Sequence, residues 1–420
     1  MIDLDTIASA LGYAWYREQY GAQGDHRKTI ALVPTPHTDF YLRPENIYAL
    51  ALAGTPQHSK NRKDQFKELF CSDDLPVSHT YTNYALVDHN VLDDRYLSPN
   101  ARVVAIIDHH HDEGKYRDTA YPRIIEQCGS CASLLTDLYM SRHNSDNHTQ
   151  ILPELAALLL SAITVDTEGL WKDGKAREID HAAATWLLPY AEMAPKIAST
   201  FAEEIKHGRK ITEISEHPLI HCLADTLHSE KIAISHLNTR DLLRRDYKHY
   251  TLQPSSFSSQ RTTGTIQAGL STVSLQMSTF LKSDLASVAA DTVKWMKERG
   301  LSILGVLITY RNESDKKKRK QLWIVDERNY KSRDRLTHVL FHGLETEEAL
   351  LLKRVYTSWY ADGSKDDDEN EDDHKGKASS SYYVESFPFK DGFVSRAYKQ
   401  KNTCASRKQI APILRQIVEG

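Results

Sequence analysis

Hydrophobic positions in the first 190 residues come in two kinds of run. Short, nearly continuous stretches of β-branched and aliphatic residues occur at 29–35 (TIALVPT), 84–90 (YALVDHN), 103–107 (VVAII) and 123–128 (RIIEQC). Each reads as a parallel strand buried on both faces. Between them the spacing is helical: Ile7, Leu11, Ala14 and Trp15 mark one helix, and Leu134, Leu135, Leu138 and Tyr139 a second. A strongly apolar third helix begins at Ile151, and a fourth spans 180–190 before Pro195. Strands alternating with helices predict an α/β domain with a parallel sheet over residues 1–190.

The pattern then changes. Residues 191–239 alternate short helical pieces with polar turns and read as a helical linker; His207, His217, His221 and His228 fall at no useful ligand spacing. Beyond it a helix is expected over 241–250 (DLLRRDYKHY), a strand over 265–275, a helix through Trp295, and a hairpin pairing 301–310 with 321–327. This is α+β character, and 240–420 forms a smaller second domain. The basic run KKKRK at 316–320 is placed in the hairpin loop, and 364–381, with its acidic run DDDENEDD, reads as a disordered low-complexity insert. Arg407 and Lys408 are adjacent cations just before the closing helix.

Composition narrows the picture in three ways. A chain of 420 residues has room for two cores, and its formal charge of −4 gives no general attraction for nucleic acid or an anionic membrane. No apolar run reaches the ~18 residues of a spanning helix and no signal peptide is apparent, so a cytoplasmic protein is expected, and a monomer. Five cysteines, an odd and small number, argue for reduced thiols. The spacing C-x-x-C at Cys128 and Cys131 lacks both a thioredoxin-like context and a second pair to hold zinc.

The chemistry sits where the strands stop. One strand ends in Asp88, His89 and Asn90, another in Asp108, His109, His110, His111 and Asp112. In open α/β sheets ligands collect outside the carboxyl ends of strands, so these two ends belong to one site. Asp3 and Asp5 sit at a helix start, where helix capping is the plain alternative, and Asp166 emerges from the apolar third helix. Oxygen donors with an imidazole and no thiolate favour Mn²⁺ or Mg²⁺ over structural zinc. With this many carboxylates, one can bridge two ions about 3.5 to 4 Å apart, which suits in-line phosphoryl displacement. The helix start at Gly129 to Ser133 offers N–H groups to an anion, with Ser130 a candidate phosphate contact. His110, Lys248, Arg407 and Lys408 are available to meet further negative charge.

Quoted in order, DLDTIASAL, LVDHN, IIDHHHDEG and SAITVDT resemble the four successive motifs of the DHH phosphoesterase superfamily. LLRRDYKHY, AGLSTV and above all QKNTCASRKQIAP resemble the second type of DHH-associated domain. Any one motif is weak; the ordered set is specific. The resemblance implies a two-domain hydrolase with its active site in the cleft between the domains, and is most like the fungal-type cytosolic exopolyphosphatases. It implies two Mn or Mg ions bound by Asp3, Asp5, Asp88, His109 and Asp166, with Asp88 bridging and Asp108 supporting His109. His110, Arg407 and Lys408 become catalytic phosphate contacts, with Lys248 a further one. The implied substrate is inorganic polyphosphate or another small phosphoanhydride. Alternatives are a prune-like phosphodiesterase, a short-chain polyphosphatase, an inorganic pyrophosphatase, or a catalytically impaired scaffold. The family places a strand, and a His or Asn four residues before the first aspartate, upstream of where this sequence starts; if they are lacking, one metal is expected to be under-coordinated.

Overall fold

The computed structural model describes residues 3–21, 28–55, 66–76, 81–146, 151–192, 213–254, 265–281, 285–312, 314, 316–328, 333–355, 389 and 392–420. The chain divides into two compact units, Met1–Ile234 and Ser235–Gly420.

In the first unit, helix α1 (Leu4–Tyr20) precedes two short parallel strands, β1 (Leu32–Val33) and β2 (Phe70–Cys71), separated by α2 (Pro44–Leu52). A parallel three-stranded sheet follows in the order β3 (Asn83–Val87), β4 (Arg102–Asp108), β5 (Arg123–Ile125). The central strand β4 is the most buried, as its unbroken apolar run requires. Helices α3 (Cys131–Asp146), α4 (Pro153–Asp166) and α5 (Glu178–Leu187) complete the α/β pattern.

Every residue of α4 from Leu155 to Val165 is buried. A helix that is apolar all round has to be surrounded, and α4 packs against α1, α2, α3, α5 and α6 (Pro218–Ile232). Helix α6 corrects the expected linker: Ile220, Leu223 and Leu227 are fully buried in the core of the first unit. Residues 193–212 of that linker lie outside the described residues.

The second unit is built on a six-stranded sheet. Its order is β10 (Leu352–Arg354), β11 (Phe393–Gln400), β9 (Lys317–Asp326), β8 (Ile303–Arg311), β7 (Ile266–Val273), β6 (Tyr247–Leu252). Only β7 and β8 pair in parallel, and the segment joining them contains the helix α9 (Leu285–Arg299), which follows the short α8 (Met277–Leu281). Helices α10 (Arg333–Thr346) and α11 (Arg407–Glu419) contribute Leu340, Leu344, Ile410 and Leu414 to the core.

Two expectations change here. The helix expected over 241–250 is α7 (Thr239–Arg245) alone; Asp246 leaves the helical region at φ −137°, ψ 76°, and Tyr247 starts β6 against β7. An aromatic and β-branched stretch beside an open sheet edge gains more from pairing than from another helical turn. The basic run is not the hairpin tip either. Residues 317–320 lie within β9, and Arg319 is buried, donating to Thr309 Oγ1 (2.9 Å) and the Thr403 carbonyl (2.8 Å). The acidic insert at 364–381 falls outside the described residues.

Candidate active site

Strand β3 ends by turning sharply. Asp88 sits at φ 62°, in the left-handed region that Asp tolerates better than most residues, while its N–H still donates to the Ile107 carbonyl of β4 at 3.0 Å. The turn delivers its carboxylate to the end of β4. There Asp88 Oδ1 lies 3.3 Å from His109 Nε2 and 3.7 Å from His110 Nδ1. One donor atom from each of these three residues falls within 4.8 Å of the others.

Helix α1 supplies the next two carboxylates. Asp3 is its N-cap, accepting from the Thr6 amide at 3.3 Å. The capping alternative is therefore correct for Asp3, yet incomplete. The Thr6 hydroxyl, with one proton to give, lies 3.1 Å from Asp3 Oδ1 and in very short contact with Asp88 Oδ2, bridging the two carboxylates.

Asp5 has a different role. It is fully buried, with Oδ2 2.6 Å from the Cys131 amide and Oδ1 accepting from the Ala132 amide (2.8 Å), the Ser130 hydroxyl (2.9 Å) and Ser9 Oγ (3.3 Å). The N-terminus of α3 thus already holds an anion, and that anion is Asp5. This corrects the reading of Ser130 as a phosphate contact: its side chain has no exposed surface and is turned to Asp5. His109 Nε2 lies 3.9 Å from Asp5 Oδ2, so the carboxylate faces the histidine as well.

The three-histidine run is sorted by its hydrogen bonds. His109 Nδ1 pairs with the Cys128 carbonyl at 3.1 Å, so Nδ1 carries the proton and Nε2 faces Asp88, the arrangement of a metal-binding imidazole. Asp108, expected to support His109, supports His110 instead: its Oδ1 lies 2.8 Å from His110 Nδ1 and 3.2 Å from the His110 amide. His110 is about 43% exposed, with Nε2 left for a ligand. Asp108 is held in turn by Asn90, whose amide donates to Asp108 Oδ2 (2.5 Å) and the His111 carbonyl (2.9 Å), while Asn90 Oδ1 accepts from Glu113 N (3.0 Å). An Asn90→Ala variant loses these three bonds. It is expected to lower activity by ~10- to 100-fold through the histidine loop while leaving metal stoichiometry intact, checked by kinetics alongside metal analysis.

Asp166, at the end of α4, is close enough to Asp3 and Asp5 to be pushed well above the usual carboxylate range, burial being the larger cause. Burial, with Asp88 and Asp3 nearby, lifts Asp5 to about 7, and burial lifts Asp88 to about 6. Burial works against the His109 proton, but Asp88, the Cys128 carbonyl and Asp5 outweigh it and raise the group to about 12. Asp3 is also penalised by burial, yet ends below its usual value because Arg43, the Thr6 amide and Lys231 counter it.

Four carboxylates forced together out of water, beside an imidazole with Nε2 turned inward, form a site suited to divalent cations. The donor set contains no thiolate: Cys131 Sγ bonds to the Ile107 carbonyl (3.2 Å) and Cys128 Sγ to the Ser130 carbonyl (3.0 Å). Both thiols are raised by burial and both are free, which removes the redox reading of C-x-x-C.

These shifts carry a sign. Asp5 and Asp88 bind protons more tightly folded than unfolded, so the stability they lend is present below about pH 4 and lost as pH rises through about 6 to 7. His109 acts in the same sense, its contribution being lost between its unfolded value and about 12. In metal-free protein the Tm of the first unit is therefore expected to fall from about pH 5 to about pH 8. The gain in Tm on adding Mn²⁺ should grow over the same window, because the cation replaces protons. Differential scanning fluorimetry across pH, with and without metal, checks both slopes.

Sequence reasoning missed Thr6, Arg43, Lys231 and Asp180, and placed Asn90 at the site without its role as the partner of Asp108. Asp180 closes the α3 loop by accepting from the Gly129 amide (2.8 Å), Ser133 Oγ (2.6 Å) and the Arg177 amide (2.7 Å). Gly129 must be glycine, since a Cβ there would lie 2.5 Å from Thr167 Cγ2 and 2.8 Å from Asp180 Oδ2. Only the x-x-Asp spacing of a capping box at Asp180 could have signalled this.

The expected cations of the second domain lie in the second unit. Arg407 opens α11 and its Nη1 is 2.8 Å from Asp246 Oδ1, also donating to the Asp246 carbonyl at 2.9 Å. The Lys408 amide donates to the N-cap Ser406 Oγ. Lys248 is an exposed residue of β6, opposite Leu270 of β7. No helix among the described residues is long and apolar enough to cross a membrane.

Comparison with known proteins agrees with this arrangement. Residues 1–163 match the DHH family N-terminal domain and residues 225–417 the DHHA2 domain. A putative exopolyphosphatase of Schizosaccharomyces pombe is 31% identical over 258 residues, 59% of this chain and 58% of that protein. The mouse exopolyphosphatase PRUNE1 is 25% identical over 250 residues, 59% of this chain and 47% of its own. The manganese-dependent inorganic pyrophosphatase of Bacillus subtilis is 28% identical, over 57% of this chain and 69% of the enzyme. The chain thus spans about half the length of the first two relatives. A crystal structure of a Methanococcus jannaschii putative family II inorganic pyrophosphatase matches with a TM-score of 0.53 at 16% identity, covering 100% of this chain and 97% of that one, a likeness of fold. With both domains matched in order, and with the strand-end carboxylates and histidines converging in the first, the chain carries a DHH family N-terminal domain followed by a DHHA2 domain.

Proposed function

We propose that this chain is a metal-dependent phosphoanhydride hydrolase that releases terminal orthophosphate from inorganic polyphosphate. The observation that carries the reading is the convergence of Asp88, His109 and His110 at adjacent strand ends, with Asp3 tied to Asp88 through Thr6. Asp3, Asp5, Asp88, His109 and Asp166 would hold two divalent cations, Mn²⁺ or Mg²⁺. When bound, such ions neutralise phosphoryl oxygens and make water a nucleophile near neutral pH.

The chain's own groups do the rest. His110, its Nδ1 locked by Asp108, presents Nε2 to a phosphoryl oxygen and does not reorganise as charge develops there. Thr6 holds the Asp88 carboxylate in one rotamer, and the Cys128 carbonyl fixes the His109 tautomer. Arg407, Lys408 and Lys248 are assigned to the remaining phosphate charges of the polymer. The names of the fission-yeast and mouse relatives support the polyphosphate reading.

A second reading, inorganic pyrophosphatase, is favoured by the manganese-dependent pyrophosphatases, which align over more of their own length. Phosphate release from pyrophosphate, tripolyphosphate and long polyphosphate, with Mn²⁺, Mg²⁺ or chelator, separates the two. Preferred turnover of pyrophosphate selects the second reading, and no metal-dependent release from any of the three rejects both.

A further inference from the structure

A second gathering of metal-binding groups lies in the first unit, apart from the carboxylates around Asp88. Strands β1 and β2 run parallel with Val33 opposite Cys71, so the segments leaving their carboxyl ends start side by side. One brings His37, at the start of a six-residue 3-10 helix (His37–Leu42); the other brings Cys71, Asp73 and Asp74. One donor atom from each of the four lies within 4.8 Å of every other. Cys71 is fully buried and the His37 side chain is 10% exposed, whereas Asp73 and Asp74 are exposed. The soft donors form a floor and the carboxylates a mouth open to solvent.

Hydrogen bonds within the group explain part of this arrangement. The His37 amide donates to Asp73 Oδ1 (3.1 Å), the Cys71 amide to Asp74 Oδ2 (2.7 Å), and His37 Nε2 lies 2.9 Å from the same Asp74 oxygen. Among the described residues they leave His37 Nδ1 buried and without a hydrogen-bond partner. Nε2, the nitrogen on the Asp74 side, is the one that can share a ligand with that carboxylate, and a cation there would take the place of the proton between them.

We propose that His37, Cys71, Asp73 and Asp74 bind one divalent transition metal of the zinc class, clasping the ends of β1 and β2. A thiolate and an imidazole among four donors select Zn²⁺ over Mn²⁺ or Mg²⁺, the reverse of the oxygen-rich site at Asp88. Backbone amides already hold both carboxylates, as outer partners do in such sites.

Co²⁺, titrated into chelator-stripped full-length protein, tests this because thiolate ligation to cobalt gives a near-ultraviolet charge-transfer band. One equivalent should produce the band and one equivalent of Zn²⁺ should abolish it. Cys71→Ser should remove it, His37→Gln should weaken cobalt binding at least ~10-fold, and Asp88→Asn should leave it intact. Circular dichroism of each variant shows whether it folds, and His37→Gln, which keeps the thiol, carries the test if Cys71→Ser does not. No band, a band that survives Cys71→Ser, or cobalt affinity unchanged in His37→Gln overturns the proposal and leaves the cluster as a hydrogen-bonded loop junction. None of these readouts depends on phosphate release, so the two proposals stand or fall separately.

Discussion

Asp88→Asn is expected to lower metal-dependent phosphate release by about three orders of magnitude, the scale on which a removed electrostatic group at a reacting centre is felt. The substitution is nearly isosteric, and the amide oxygen still accepts from Thr6. What disappears is the charge facing His109 Nε2 at 3.3 Å and His110 Nδ1 at 3.7 Å. Activity alone would not separate a lost ligand from a damaged fold, but stability does. Asp88 is lifted to about 6 by burial, so ionising it above that pH costs the metal-free protein stability. Asp88→Asn should therefore match or exceed the parent Tm without metal at about pH 8, and lose most of the further gain that Mn²⁺ gives. A variant that keeps both turnover and the Mn²⁺-dependent rise in Tm would show that Asp88 is not a ligand.

The second large effect is structural. Asp5→Ala should destabilise the first unit by about 3 kcal/mol, because it strips a charged acceptor from two buried amides and two hydroxyls. Each such bond is worth ~1.5 to 3 kcal/mol, and relief from crowding against Asp88 and Asp3 returns part of the sum. For a unit of this size the drop in Tm is about 6 to 12 °C. Ser130→Ala, removing one hydroxyl donor, should cost only about 1 kcal/mol. Thermal melts monitored by circular dichroism decide the matter; equal, small losses in both variants would mean that Asp5 does not anchor α3.

The two aspartates of one short motif thus end in different service, and nothing in the spacing Asp3-x-Asp5 shows which does what. Asp3 caps its own helix, as an acidic residue before an apolar-periodic run should. Asp5 reaches the start of a helix more than a hundred residues away, a partner that exists only once α1 packs on α3. The same distinction applies to the histidines. That β4 ends in a polar loop is legible in the abrupt stop of VVAIID. That His109 turns to the Cys128 carbonyl while Asp108 takes His110 depends on β5 being the parallel neighbour of β4.

In the second unit, the apolar runs of β7, β8 and β9 were readable because each is buried by its own composition. The strand β6 was hidden inside a helical pattern. Its state is set by the free edge of β7, since an edge strand needs a partner that lies elsewhere in the chain.

By itself, then, the amino-acid order determined the α/β first half, the sheet-based second half, and the strand ends at which acidic and imidazole groups collect. Those are local properties: burial of a run is written in its hydrophobicity, and its stop in the residue that breaks it. Only the tertiary structure decided which carboxylate meets which donor, that α6 belongs to the first core, that the basic run lies within a strand, and that His37 and Cys71 stand together. Each of those depends on contacts between positions distant in sequence, and a hydrogen bond or a charge acts over a few ångströms of space, whatever the separation along the chain.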